Sequence, residues 1–169
     1  MSDAIGYAIN DGVCFLKLSG ELRHDSAGPL DNLIEVLFER DESAIGAVVI
    51  DLNEVTFMDS TVIGLLAGIA RSLQSRSLPA PTLFSTNVEI NQLLESLRLD
   101  EVFTIVTEPT DRPLAPGALH VVDDEAGARH CSAAAILKAH EVLIEMNEAN
   151  REAFHSVVEL FREEVDRNR

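Results

Sequence analysis

The chain has 169 residues, 46% hydrophobic and 25% charged, values that suit one ordinary globular domain with an appendage and give no support to disorder or a fibrous repeat. Thirteen basic against 29 acidic residues leave a formal net charge of −16, which opposes direct binding to nucleic acid or to an anionic membrane surface, since both carry the same sign. No apolar run reaches the roughly 18 residues of a membrane span, and "MSDAIGYAIN" lacks the basic start and apolar stretch of a signal peptide, so a cytoplasmic protein is expected.

In chain order, an edge strand near Ile5 to Ile9 and "VCFLKL" at 13–18 flank "NDG" at Asn10 to Gly12 and predict a hairpin. "DSAGPLDNLIEVLFER" follows, with Asp25 or Ser26 as cap and Leu30, Leu33, Ile34, Leu37 and Phe38 at helical spacing. "AVVIDL" at 47–52 predicts a buried strand and "DSTVIGLLAGIARSL" a second helix. Beyond Pro79 and Pro81, "TLFS" is a strand, "NVEINQLLESLRL" a helix capped by Asn87, and "VFTIV" at 102–106 another strand. Alternation at these lengths implies βαβ crossovers with parallel middle strands, and the domain runs from about 1 to 110.

Residues 111–130 carry the prolines, glycines and acids of a linker, with one short strand at "ALHVV". From Ser132 onward there is no Gly or Pro, and 131–169 forms a helical extension. Ile136, Leu143 and Met146 make one stripe; Phe154, Val157, Val158, Phe161 and Val165 make another, broken at "NEAN" with Asn147 as N-cap. A helical hairpin is favoured over one long helix, and its apolar surface needs cover from the first domain, a second copy or a partner.

"FMDSTVIGLL" at 57–66 sets Asp59, Ser60 and Thr61 at a strand-to-helix transition. Capping explains one such residue. In the helix after it, Ile63, Leu66, Ala67, Ala70 and Leu73 share one face and Val62, Leu65 and Ile69 another, so a second covering element or protein is needed. Gly64 and Gly68 permit close approach, on the domain's own strands or on something else. A phosphate at this helix start would meet free N–H groups and the positive end of the macrodipole, while its charge would disrupt a dry contact.

The order "VVIDLNEVTFMDSTVIGLL", with "LSGELRHDSAGPL" before it, resembles the STAS domains of bacterial anti-sigma factor antagonists. The resemblance implies an α/β fold, a mixed sheet of an N-terminal hairpin plus parallel strands covered by helices, here followed by the helical extension. It also implies partner switching: the unmodified protein binds a GHKL-type serine/threonine kinase that acts as an anti-sigma factor, phosphorylation at Thr61, or at its neighbour Ser60, releases it, and a PP2C-like phosphatase reverses the mark. Asp59 would position the acceptor. The contact surface would comprise Met58, Asp59, Ser60, Thr61, Val62, Leu65 and Ile69. Val62 stands where many members have Gly, and Arg23 where an acid is common.

No cofactor is expected, ATP belonging to the kinase. The scattered His24, His120, His130, His140 and His155 form no nucleophile-elbow or metal-ligand pattern, so an enzyme is not expected; His140 fits a polar helix face. His130, Cys131, Asp123 and Asp124 cluster in sequence without the spacing of a common metal site. The alternative reading is a non-catalytic scaffold or sensor module dimerising through its C-terminal helices.

Overall fold

The computed structural model describes residues 4–40, 45–110, 119–122 and 130–168. β1 (Ala4–Asn10) and β2 (Val13–Leu22) form the expected antiparallel hairpin. Asp11 and Gly12 take φ of 51° and 80°, the two left-handed positions of a primed two-residue turn, which a short acid and a glycine accept. β3 (Ala47–Met58), β4 (Thr82–Phe84) and β5 (Thr104–Val106) add to β2 in parallel, and β6 (His120–Val121) pairs antiparallel with β1. The sheet order is β5-β4-β3-β2-β1-β6, a mixed sheet.

Strand β3 runs six residues past "AVVIDL", through "NEVTFM". Register shifts against β2 between Lys17 and Ser19 and between Gly20 and Glu21 allow this extension. They also change the strand's phase: Val48, Ile50 and Leu52 are buried at alternate positions, then Val55 and Met58. The carboxyl ends of β2 and β3 thereby finish side by side, and the Asp59 N–H donates to Leu22 O at 3.1 Å.

The first helix, α1 (Gly28–Ile34), continues as a π-helical turn over Glu35–Arg40. Its N-cap is Ala27, without a side-chain hydrogen bond, rather than Asp25 or Ser26. Ser26 is engaged elsewhere: its hydroxyl accepts from Arg23 N–H and lies 3.2 Å from Arg23 O, closing a turn before the helix, and Pro29 fixes the helical start. Of the three polar residues before and within the first turn of α2 (Ser60–Ser75), it is Asp59 that caps, and α3 (Val88–Ser96) is capped as expected by Asn87, whose carboxamide oxygen accepts from Glu89 and Ile90 N–H.

The C-terminal region is a helical hairpin, α4 (Ala133–Met146) and α5 (Glu148–Arg167), joined by Asn147 alone. Ser132 caps α4, and Asn147 caps α5 by accepting from Asn150 N–H at 2.8 Å. The cover left open by the sequence is the first domain: Ala135, Ile136, Ala139, Val142 and Leu143 of α4 belong to the same hydrophobic cluster as the sheet and α2. Residues 111–118 and 123–129 of the expected linker lie outside the described residues. Among the described residues, no helix is long and apolar enough to cross a membrane.

Candidate partner-binding and modification site

Where β3 turns into α2, Asp59 has an extended backbone and its carboxylate serves two elements at once. Oδ1 accepts from Val62 N–H at 3.0 Å, the N-cap bond, and Oδ2 accepts from the His24 backbone N–H at 2.7 Å. His24 Nδ1 lies 3.2 Å from the same oxygen. Asp59 thus ties the helix start to the turn after β2, a position it reaches because the two strands end together. Nearby, the Arg23 guanidinium stacks 4.1 Å from the Phe57 ring centroid.

Ser60 is half-buried and its Oγ lies 2.8 Å from His140 Nε2, a residue of α4 eighty positions away. His140 Nδ1 lies 2.8 Å from the Ile136 carbonyl, which can only accept, so Nδ1 carries the proton and Ser60 donates to Nε2. The imidazole is 3% exposed and packs edge-on to Phe154, centroids 5.3 Å apart. Burial pushes its pKa below the ordinary value, against a smaller opposing pull from the Ile136 carbonyl and the Asp59 charge. His140 is therefore a buried neutral acceptor, a correction to its reading as part of a polar helix face.

The signal for this was present: His140 lies four residues after Ile136 and three before Leu143, on the apolar stripe itself.

Of the expected contact residues, Asp59 and Ser60 are partly exposed, whereas Met58, Thr61, Val62, Leu65 and Ile69 are buried. At about 100° per residue, the stripe of α2 centred on Gly64 holds Ser60, Ala67, Gly68 and Arg71, while Val62 and Ile69 turn toward the far side. That stripe faces α4. A Cβ on Gly64 would stand 2.7 Å from the carbonyl carbon of Ala139 and 2.8 Å from its Cβ, so this glycine admits backbone contact with α4 and not with the strands. Arg71 pairs with Glu145 at 2.6 Å. Gly68 meets nothing within 4 Å.

The two thiols are not poised for chemistry: burial pushes Cys14 up to about 11, and burial with the charges of Asp31 and Asp59 pushes Cys131 up to about 12. His130 is exposed beside Cys131, and Asp123 and Asp124 lie outside the described residues. No group of three His, Cys, Asp or Glu with metal-binding proximity occurs among the described residues.

Asp59, capping a helix that opens with two hydroxyl residues, stands at the carboxyl end of a central strand of the mixed sheet. The chain belongs to the STAS domain family, which it matches over residues 4–111. Helices α4 and α5 lie beyond that span.

Among solved structures, it is similar to a putative anti-sigma factor antagonist from Thermotoga maritima, at 24% identity and a TM-score of 0.51, covering 59% of this chain and 82% of that one. The anti-sigma factor antagonist SpoIIAA in its unphosphorylated form matches at 19% identity and a TM-score of 0.53, over 62% and 89%. The Bacillus cell fate determinant SpoIIAA in the phosphorylated form matches at 19% identity and 0.50, over 62% and 92%.

Proposed function

We propose that the protein is an anti-sigma factor antagonist working by partner switching. Unmodified, it binds a GHKL-type serine/threonine kinase that doubles as an anti-sigma factor; modified at the hydroxyl pair of α2, it releases that partner. A PP2C-like phosphatase resets it. The acceptor is Thr61 by the family register, with Ser60 its alternate. The acceptor oxygen attacks the γ-phosphorus of ATP held by the kinase, the hydroxyl proton passes to the kinase's base, and ADP leaves. The protein itself contributes no catalytic group and acts in the cytoplasm.

The observation that carries the reading is the folding of "FMDST" into a helix start, with Asp59 capping α2 and Ser60 and Thr61 as its first two residues. A helix N-terminus lowers the cost of a negative charge, so modification at the part-exposed Ser60 can alter a surface without unfolding the domain, whereas at the buried Thr61 it must displace what covers that residue. Each 1.4 kcal/mol lost at such a surface is a factor of about ten in affinity. Membership in the STAS family is consistent with it, as is the fold shared with SpoIIAA, a protein that has a phosphorylated form.

Tandem mass spectrometry of the protein isolated from its own cells, with fragment ions separating Ser60 from Thr61, tests the reading. Phosphate on either residue is the expected result. Its absence under every growth condition, with the rest of the chain covered, refutes the switch.

A further inference from the structure

We propose that the α4–α5 hairpin is a removable cover on the face of α2 that carries Ser60, Gly64 and Arg71, where it engages the Ser60 hydroxyl, and that the partner docks on this face rather than on the Val62 and Ile69 side, so that partner and hairpin compete for one surface. This rests on the partner-switching reading. Ser60, Gly64 and Arg71 follow one stripe of α2, and each meets a group of α4: His140, the Ala139 backbone and Glu145. Ser60 Oγ is bonded to the His140 ring of α4, so while the hairpin is docked this oxygen is not open to a phosphoryl donor.

The hairpin is held by the apolar residues of α4 in the shared core, while the polar part of its seam with α2 is weak. Its ion pair is more than half exposed at both side chains and contributes little. A cleft of about 310 Å³ remains between the helices, lined by Arg71, Gln74, Glu101, Val142, Glu145 and Met146. Two polar ties hold the hairpin at its ends: Cys131 N–H donates to His24 O at 2.8 Å, and the Asn150 side chain donates to Leu97 O at 3.0 Å. The hairpin also lies outside the span that matches the family, 4–111.

The cover specifies what can replace it. At Gly64 the backbone of Ala139 comes closer than a Cβ would allow, a crossing suited to a small residue on the approaching helix, and beside it the Ser60 hydroxyl offers a hydrogen bond. The partner is accordingly a protein that presents a small-residue helix to α2. A phosphate on Ser60 would stand in the volume of the His140 ring, so that modification keeps the hairpin off.

Two glycines one turn apart provide the test. Gly64→Ala puts a methyl where Ala139 stands, whereas Gly68→Ala adds one to open space. In full-length protein, hydrogen exchange of the α4 amides is expected to be about tenfold faster in Gly64→Ala than in wild type or Gly68→Ala, with β2 and β3 unchanged.

Ala139→Leu opens the same seam from the α4 side and replaces Gly64→Ala if that variant does not fold. In cells, phosphate occupancy at 60–61 rises several-fold in Ala139→Leu, which leaves α2 itself unaltered, whereas Gly64→Ala is read by exchange alone because its methyl would also meet the partner. Unchanged α4 exchange in both Gly64→Ala and Ala139→Leu overturns the cover. Released α4 in Ala139→Leu with phosphate present at wild-type occupancy overturns the competition. Released α4 with no phosphate in any protein refutes the underlying switch instead, and the exchange data identify that case.

Discussion

Ser60→Ala isolates the hydrogen bond that joins the two halves of the site. The substitution leaves His140 Nε2 as a buried acceptor without a donor, a cost of about 1–3 kcal/mol. Alanine is the better helix former, which returns a few tenths of that, so a net loss of about 1–2 kcal/mol is expected. In a chain of this size each kcal/mol shifts Tm by about 2–4 °C. His140→Leu alone leaves the Ser60 hydroxyl beside solvent, where water can replace the ring, and forfeits the edge contact with Phe154, worth about 1 kcal/mol.

The double variant Ser60→Ala, His140→Leu removes both polar groups, which is close to neutral when the replacements fill the space. Urea denaturation of all four proteins, followed by far-UV circular dichroism, yields the coupling. The double variant should be more stable than the summed single losses imply, by about 0.5–2 kcal/mol. Additivity within about 0.3 kcal/mol would refute the assignment of Ser60 as donor to a buried neutral His140.

Asp59→Ala loses the α2 cap and the tie to His24 and should cost about 1–2 kcal/mol, with Asp59→Asn retaining most of it because the carboxamide oxygen still accepts from Val62 N–H; thermal melts decide. The depressed pKa of His140 fixes a pH dependence. Between the folded and the unfolded pKa the unfolded chain binds more protons, so this contribution to stability is complete above about pH 6.5 and declines as the pH falls toward the folded-state value. Melts between about pH 7.5 and 5 should show a decline that is reduced in His140→Leu, and an identical decline in both would contradict it. Thr61→Asp places a carboxylate in a dry position and should lower Tm by several degrees, whereas Thr61→Val should not; equal melting of the two would show that position 61 is not enclosed.

Much of this fold is legible because short polar residues act locally. Asn87 and Asn147 each cap the helix that begins after them, and "NDG" closes the hairpin, since these bonds span at most a few residues. Asp25 and Ser26 show the limit of that logic: two good caps lie too early, because the Ser26 hydroxyl is used in a turn with Arg23. The extension of β3 through "NEVTFM" depends on bulges in its pairing with β2, which a single strand's sequence does not reveal.

The candidate site was half visible for the same reason. Asp59, Ser60 and Thr61 stand out as polar residues between apolar runs, but their surroundings come from His24, Ala139 and His140 through long-range packing. An apolar stripe on α4 states that something must cover it and not which surface does. Gly64 signals close approach without naming the approaching atom, and only the Ala139 backbone identifies it. The outward stripe of α2 was similarly obscured, because a helix apolar nearly all round gives no amphipathic contrast to orient it.

The central claim, a phosphate-controlled contest for one face of α2, is tested most directly by comparing α4 in the phosphorylated and unphosphorylated forms of the full-length protein by hydrogen exchange. Exchange of the amides in Ala133–Met146 about tenfold faster in the phosphorylated form, with β2 and β3 equally protected in both, is the predicted result. Equal protection of α4 in the two forms would contradict it, because a phosphate on Ser60 and a docked His140 cannot share the same space.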